Sequence, residues 1–237
     1  MKPDYHEIGV GATEELSLRV SVATLVNVLF DNPEDGRTML ALERTATLRE
    51  IEGQPEVIVR AKPFGGAVQI TDPHALKEMI GYFHYDSERS RQENDFRILI
   101  SPASLEKVKE ICQEHLNGTN ETILDSSPER ELAEEFEQAL DVRIFPNQYH
   151  LKPRGINIED IPVATDNVRA EGLPTVRISY VFEAWIESPE IIAMMLANHS
   201  RYSDKDLQKI AWIDARQGGK GRANAILTLV QDDLKKA

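Results

Sequence analysis

Cysteine is nearly absent from this chain of 237 residues, which carries Cys112 alone. A single thiol cannot close an internal disulfide, so packing must hold the fold together, and a reducing compartment suits such a chain. Aromatic residues are also few, at 6%, but 41% of the residues are hydrophobic and 28% are charged. That is an ordinary globular composition, and the chain is long enough to bury a sizeable core.

Long hydrophobic runs are missing as well. No stretch approaches the roughly 20 apolar residues that a membrane helix needs. The first residues lack the basic and then apolar order of a signal peptide. We therefore predict a cytoplasmic protein without a membrane partner.

Basic residues are fewer than acidic ones: the chain has 27 basic and 40 acidic residues, which gives a net charge of −13. This field repels polyanions, and no strongly basic segment offsets it, so long nucleic acid is not an expected partner. A small anionic ligand is still compatible with the chain, because metal ions or a few local lysines and arginines can bind it.

Strand and helix patterns interleave along the chain. Residues 18–30, a turn at 32–36 and residues 38–43 predict a β-hairpin. Further strands are predicted over 56–61, 67–71, 96–100, 141–151 and 175–186, with a polar loop over 85–95. Helices are predicted over 73–83, 101–117, 127–140, 188–198 and 222–236. The absence of a repeat or a low-complexity linker indicates one α+β domain over residues 1–237 with a mixed sheet.

The helix predicted over 127–140 carries the most informative pattern. A serine N-cap and a proline in the first turn open it, and acidic residues stand near the positive end of its dipole. At about 100° per residue, Leu132 and Phe136 share one face with Ala139 and Leu140. The opposite face carries Glu131, Glu134, Glu135 and Gln138.

Carboxylates at such spacing repel one another unless water screens them or a cation binds. One interpretation is that these glutamates simply form an acidic face exposed to solvent. The other is a site for a hard ion such as Mg²⁺, which prefers oxygen ligands and leaves positions for substrate phosphates.

The segment Arg130-Glu-Leu-Ala-Glu-Glu-Phe136 resembles the core of the helix that defines the Nudix hydrolases, and Gly65-Gly66 resembles the glycine pair of that family. The resemblance implies an α-β-α sandwich and a Mg²⁺- or Mn²⁺-dependent hydrolase of a phosphoanhydride in a nucleoside diphosphate derivative. It also implies that Glu134 and Glu135 are metal ligands and that Glu131 is a further ligand or general base. Arg130 would hold the loop and the helix together.

The chain departs from the family pattern at several positions. Thr122 and Glu137 stand where the family has a glutamate and a glycine, and Gly66 lies 64 residues before Arg130. An insertion over about 73–122, containing helices, accounts for that separation. The alternative function is a catalytically inactive Nudix-fold module that binds a ligand or a protein.

Three smaller features complete the prediction. The glycine-rich segment 217–222 precedes the predicted last helix, so Lys220 and Arg222 are candidate contacts to a substrate phosphate, unless the segment is only a flexible loop. The histidines are scattered, which disfavours a zinc site. Met194 and Met195 are either buried in a helix or part of a homodimer surface.

Overall fold

A computed structural model describes residues 16–118, 122–159, 161–165, 170 and 172–230. Twelve strands lie in this part of the chain: β1 Leu18–Asp31, β2 Thr38–Ile51, β3 Gln54–Lys62, β4 Phe64–Ala67, β5 Gln69–Ile70, β6 His84–Tyr85, β7 Arg97–Ile100, β8 Leu124–Asp125, β9 Tyr149–Ile158, β10 Val163–Ala164, β11 Pro174–Ile186 and β12 Arg222–Val230. Its six α-helices are α1 Pro73–Ile80, α2 Glu88–Glu93, α3 Leu105–Leu116, α4 Pro128–Leu140, α5 Pro189–Arg201 and α6 Asp204–Arg216.

The long strand β1 organises the main sheet. It is rich in β-branched and aliphatic residues, which favour extended structure. One of its edges pairs in parallel with β11, from Arg19 opposite Thr175 to Leu29 opposite Trp185. Its other edge pairs in antiparallel fashion with β7, then β4, then β2. The predicted hairpin is confirmed, since β1 and β2 pair across the turn at 32–36.

The strand β2 extends the sheet beyond β1. It pairs with β3 over Glu43–Ile51 and with β12 over residues 39–47, both in antiparallel fashion. The sheet is therefore mostly antiparallel with one parallel pair, and the predicted α+β class with a mixed sheet is confirmed.

Helices cover both faces of this sheet. Val26, Val28 and Phe30 alternate along β1 and pack with Leu132 and Phe136 of α4. On the same face, side chains nearer the N-terminal end of β1 pack with α3. On the opposite face, the side chains of α6 pack on β2, β3 and β12; they include Leu207 and Ala211. None of the helices in the described part of the chain is long and apolar enough to cross a membrane.

The segment predicted as an insertion takes part in the main core. Its strand β7 pairs with the first residues of β1, and Val108, Ile111 and Cys112 of α3 are fully buried against the sheet. Tyr180 Oη of β11 donates to Cys112 O at 2.9 Å. Burial raises the pKa of the Cys112 thiol to about 12, which suits a core residue rather than a nucleophile. Residues 119–121 of the predicted insertion lie outside the described residues.

Several local predictions are wrong. Residues 222–230 form the strand β12 rather than the start of a helix, and residues 231–236 of that predicted helix lie outside the described residues. The strand predicted over 141–151 begins only at Tyr149, and the predicted polar loop over 85–95 contains α2. Helix α6 was not predicted, although Ser203 and Asp206 form a capping box at its start.

Candidate functional site

Helix α4 is held in place by a serine N-cap and by an aromatic contact with the sheet. Ser127 Oγ accepts a hydrogen bond from Arg130 N at 3.3 Å and caps the helix. The Phe136 ring stacks on Phe64 with 5.3 Å between ring centroids. This anchoring fixes the rotation of the helix, so Glu131 and Glu135 lie close to the sheet, with only 3% and 7% of their surfaces exposed. The side chain of Glu134 is 52% exposed and lies at the outer edge of the group.

The glycine pair lies directly against this helix. Gly66 is opposite Thr24 in the β1–β4 ladder, and a Cβ on Gly66 would stand 2.3 Å from Oε2 of Glu131. Gly65 has φ +145°, and its Cβ would stand 2.0 Å from Thr24 O. Gly65 therefore leaves no room for a side chain against the β1 backbone, whereas a side chain at position 66 would have to displace the Glu131 carboxylate. The structure thus brings together two motifs that are far apart in sequence.

A further carboxylate, Glu43, was missed in the sequence prediction. It is fully buried on β2, where its Oε2 lies 2.6 Å from Lys62 Nζ and its Oε1 accepts from Arg222 Nη2 at 2.9 Å. The Lys62 ammonium also lies 3.5 Å from Oε1 of Glu135. Thr45 Oγ1 donates to Glu43 at 2.7 Å. Glu43 therefore holds two cations beside the acidic helix.

A signal for Glu43 does exist in the sequence. Met39, Ala41 and Glu43 occupy alternate positions of one strand, so a carboxylate follows two apolar residues on the same face. A charged side chain that points towards a core is a marker of a site.

Arg130 connects the start of α4 with its acidic face. Its Nη1 lies 2.8 Å from Oε1 of Glu131 and 3.4 Å from Oε1 of Glu134, and its Nε lies 3.7 Å from Oδ2 of Asp125 in β8. These contacts link the loop before the helix to two of the helix carboxylates.

Burial governs the protonation of Glu131 and Glu135. Loss of hydration raises the pKa of Glu131 to about 7; the Arg130 guanidinium opposes this shift and the nearby Glu134 carboxylate adds to it. Burial likewise raises the pKa of Glu135 to about 7, against the opposing effect of Lys62 and with a further increase from Glu43. For Glu43, burial acts upward, but Lys62, Thr45 and Arg222 outweigh it and hold the pKa below its usual value.

The donor set fits a small hard cation. Oε1 of Glu131 and Oε2 of Glu135 are buried and have no hydrogen-bond donor of suitable geometry among the described residues. No cluster of three or more His, Cys, Asp or Glu side chains in the described ranges is arranged to hold a metal ion. Two carboxylates are nevertheless enough for Mg²⁺, which usually keeps several waters and takes the remaining ligands from substrate phosphates. The residues that could hold the ion are therefore Glu131 and Glu135, while Glu134, the third predicted ligand, borders the same cleft with an exposed side chain.

These groups line a polar cleft of about 430 Å³, a volume typical of small-molecule sites. Gly65, Gly66, Lys62 and Arg222 form part of its wall, and all three helix glutamates border it. The segment between β5 and α4 supplies a further part of the lining, through two ion pairs: Arg89 with Glu93 and Arg97 with Asp95. The cleft is thus lined by charges of both signs.

The glycine-rich loop after α6 is arranged differently from the prediction. It leads into β12, so it provides no helix N-terminus for an anion. Its backbone N–H groups at Gly221 and Arg222 donate to Oδ2 of Asp214 at 2.8 and 3.2 Å. A carboxylate of the chain itself therefore occupies this loop. The Arg222 side chain lines the cleft, whereas Lys220 is exposed and is not among the cleft residues.

Comparison with known proteins yields little similarity. No protein-family model matches the chain, and no curated protein matches it. Among solved structures, the T. brucei MERS1–RNA complex aligns with a TM-score of 0.29 and 8% sequence identity. That alignment covers 90% of this chain and 53% of the other, so the chain spans about half the length of that protein.

Proposed function

We propose that the chain is a Nudix-like, metal-dependent hydrolase that cleaves a phosphoanhydride in a nucleoside diphosphate derivative. Glu131 and Glu135 would bind Mg²⁺ or Mn²⁺ together with waters and the phosphates of the substrate. The bound ion would lower the pKa of a coordinated water and neutralise charge on the phosphates. Under this proposal the fold corresponds to an α-β-α sandwich with a helical insertion before α4.

One observation carries the proposal. Two glutamates one helical turn apart are almost completely buried beside a glycine pair, and each has a carboxylate oxygen without a suitable hydrogen-bond donor in the described structure. Burying carboxylates is unfavourable unless cations or protons compensate, and the Arg130 guanidinium beside Glu131 and the Lys62 ammonium beside Glu135 are both shared with other carboxylates. A divalent ion at this position would compensate both groups at once.

The cleft also suits the proposed substrate. Lys62 and Arg222 lie beside the two glutamates, and both are held by Glu43. Cations in these positions could contact phosphate oxygens that the metal ion leaves unbound. The positive charges therefore support an anionic substrate in a protein whose net charge is otherwise −13.

A second candidate function is supported by the position of Lys62. Its ammonium group lies 2.6 Å from Glu43 and 3.5 Å from Glu135, so it already supplies part of the compensating charge. A cleft whose carboxylate charge is partly neutralised by Lys62 could bind a nucleotide-like ligand without a metal ion and without turnover. This is the inactive module, and it differs from the hydrolase in its response to divalent ions.

The experiment that separates the two candidates measures binding of Mn²⁺ and release of product in the same preparations. The hydrolase proposal predicts Mn²⁺ binding and Mn²⁺-dependent turnover in a panel of nucleoside diphosphate derivatives. Glu131→Gln and Glu135→Gln should each lower turnover at least 100-fold, because a neutral amide is a poor ligand for a hard cation.

Glu137→Gln is the matched control, since Glu137 is exposed on the same helix and does not line the cleft. It should retain full turnover. Nucleotide binding without product in the wild-type protein would contradict the hydrolase proposal and favour the module.

A further inference from the structure

The strand β3 has an open outer edge. It is nine residues long, and β2 alone among the strands in the described part of the chain pairs with it. Other long edges are covered or interrupted. Two N–H groups of β12 donate to Asn198 and His199 of α5, and β9 contains a bulge beside Pro153. An open edge of this length is a template for a strand of another chain.

The turn between β2 and β3 shows which main-chain groups face outward. Glu52 and Gly53, with φ +51° and +76°, form a two-residue hairpin turn. In such a hairpin the residues that flank the turn form a hydrogen-bonded pair and the bonded residues then alternate, so the even-numbered residues of β3 bond to β2. Val57 fits this pattern, since its O accepts from Gln208 Nε2 of α6 at 3.4 Å. The N–H and C=O groups of odd-numbered residues therefore line the open edge.

The side chains of β3 follow the same alternation. Val57 is buried and Val59 is half-buried in the apolar cluster beneath α6. The opposite face carries Glu56, Ile58 and Arg60, of which the two charged side chains are exposed. Residues 56–60 are therefore symmetric about Ile58 in their apolar residues and carry opposite charges at their two ends.

We propose that β3 pairs with β3 of a second copy of this chain, in antiparallel fashion, about a two-fold axis at Ile58. This register places Val57 opposite Val59 of the second copy, and Glu56 opposite Arg60 of the second copy. Because Val57 and Val59 both present their main-chain groups at the open edge, they form hydrogen-bonded pairs. About six main-chain hydrogen bonds then join the two copies.

Charge complementarity selects both this occupant and this register. Glu56 and Arg60 of the second copy form a non-hydrogen-bonded pair, in which side chains approach most closely and opposite charges are stabilising. The two-fold axis repeats the contact. The neighbouring registers that keep the open edges bonded place Ile58 opposite a charged side chain and lose both contacts. Arg60 can keep its interactions within its own chain, because a guanidinium has five N–H donors.

Two properties make this dimer reversible. Each copy carries a net charge of −13, which opposes association, although salt at 0.15 M screens charges beyond about 8 Å. The interface is also small, since each copy contributes one strand. We therefore expect a dissociation constant on the order of 10–100 µM.

Analytical ultracentrifugation of the full chain in 0.15 M salt tests the pairing over about 1–500 µM. The wild-type mass should rise from 26.8 kDa towards twice that value. Glu56→Arg and Arg60→Glu should each weaken the dimer at least tenfold, because two pairs of like charges then face each other. An equimolar mixture of the two variants should dimerise about as tightly as the wild-type protein, since every arginine again faces a glutamate.

The mixture guards against misfolding, because two variants that fail to fold could not restore the wild-type mass together. Glu34→Arg is the control, since it reverses a charge in the exposed turn at 32–36 and should keep the wild-type dissociation constant. The proposal is overturned if the wild-type protein stays monomeric at the highest concentration, which leaves the edge to another partner or to none. It is also overturned if the single variants dimerise like the wild-type protein, which assigns the dimer to another face, or if the mixture stays monomeric.

Hydrogen exchange tests the main-chain part of the pairing. Exchange of the Val57 and Val59 amides should slow at least threefold between concentrations well below and well above the dissociation constant, because these N–H groups become bonded in the dimer. Exchange that is equally fast at both concentrations would overturn the strand pairing.

Discussion

The carboxyl groups of Glu131 and Glu135 determine how the protein should respond to pH. Burial raises the pKa of each group from 4.5 to about 7 in the folded protein. Between those values the folded state binds more protons than the unfolded state, so the free energy of unfolding falls as pH rises through this window. In the ionised form both groups destabilise the metal-free protein.

This shift gives the first prediction. Without divalent ions, raising the pH from 4.5 to 8 should destabilise the wild-type protein relative to Glu131→Gln/Glu135→Gln, by on the order of 2 kcal/mol for each glutamate. Urea unfolding at the two pH values measures the difference. Mg²⁺ added at pH 8 should restore the free energy of unfolding of the wild-type protein and leave that of the double variant unchanged. Parallel pH dependences for the two proteins would contradict the assigned burial of these groups.

The glycine pair gives a second prediction, because a methyl group added at Gly65 and one added at Gly66 would meet different neighbours. Gly65→Ala places a methyl group against the backbone of β1 in a conformation that disfavours L-residues, so it should cost more than about 2 kcal/mol of stability. Gly66→Ala meets the Glu131 carboxylate instead, and should weaken Mn²⁺ binding more than it lowers stability.

Urea unfolding and calorimetry with Mn²⁺, carried out on both variants, measure these two effects. Gly36→Ala serves as the control for the turn, since it has a positive φ but open space, and should cost only about 1 kcal/mol. Equal effects of Gly65→Ala and Gly66→Ala on Mn²⁺ affinity would argue against the contact between Gly66 and Glu131.

At the scale of elements, the position of α4 depends on its aromatic contact with β4. Phe136→Ala removes the ring that stacks on Phe64 and should cost about 3–5 kcal/mol, because a large cavity opens under the helix. Phe145→Ala is the control, since Phe145 is 48% exposed, and it should cost less than about 1 kcal/mol. Thermal or urea unfolding distinguishes the two variants, and similar losses would show that the stack does not anchor the helix.

The elements also show what the sequence could predict. The boundaries of α4 follow from Ser127, Pro128 and the apolar spacing of Leu132 and Phe136, all of which are local signals. Residues 222–230 lack such signals. Their alanines and leucines are compatible with a helix, but nine pairings with β2 make them a strand, so a tertiary contact overrides the local preference.

The site was predictable only in part for a similar reason. The spacing along one helix indicated Glu131, Glu134 and Glu135, but it could not indicate that Glu134 would remain exposed while the other two became buried. Glu43 and Lys62 join the site through strand pairing between β2 and β3. Register depends on long-range contacts, which one sequence does not reveal.

At the scale of the whole molecule, the segment between β5 and α4 is part of one core. Its strand β7 covers the first residues of β1, and Arg19 of β1 forms a buried ion pair with Asp86 at 2.8 Å. The cleft combines residues from this segment with residues from α4 and β12. Removing the segment would therefore expose core residues and open one side of the cleft.

This arrangement predicts cooperative unfolding. Trp185 lies in β11 and Trp212 in α6, on separate parts of the sheet. Urea transitions followed by the fluorescence of each single-tryptophan variant, Trp185→Phe or Trp212→Phe, should each coincide with the transition followed by far-ultraviolet circular dichroism. Transitions that separate by more than about 0.5 M urea, against an m-value of a few kcal/mol per molar, would indicate two independent domains instead of the single domain predicted from the sequence.

The proposed cation site depends on residue, element and whole fold alike, since it requires two buried side chains, one anchored helix and a sheet that brings distant segments together. Anomalous scattering from crystals soaked in Mn²⁺ tests it most directly. We expect a peak at about 2.0–2.3 Å from carboxylate oxygens of Glu131 and Glu135, on the side of the helix that faces the cleft. Crystals saturated with Mn²⁺ that show no peak within coordination distance of either glutamate would contradict it.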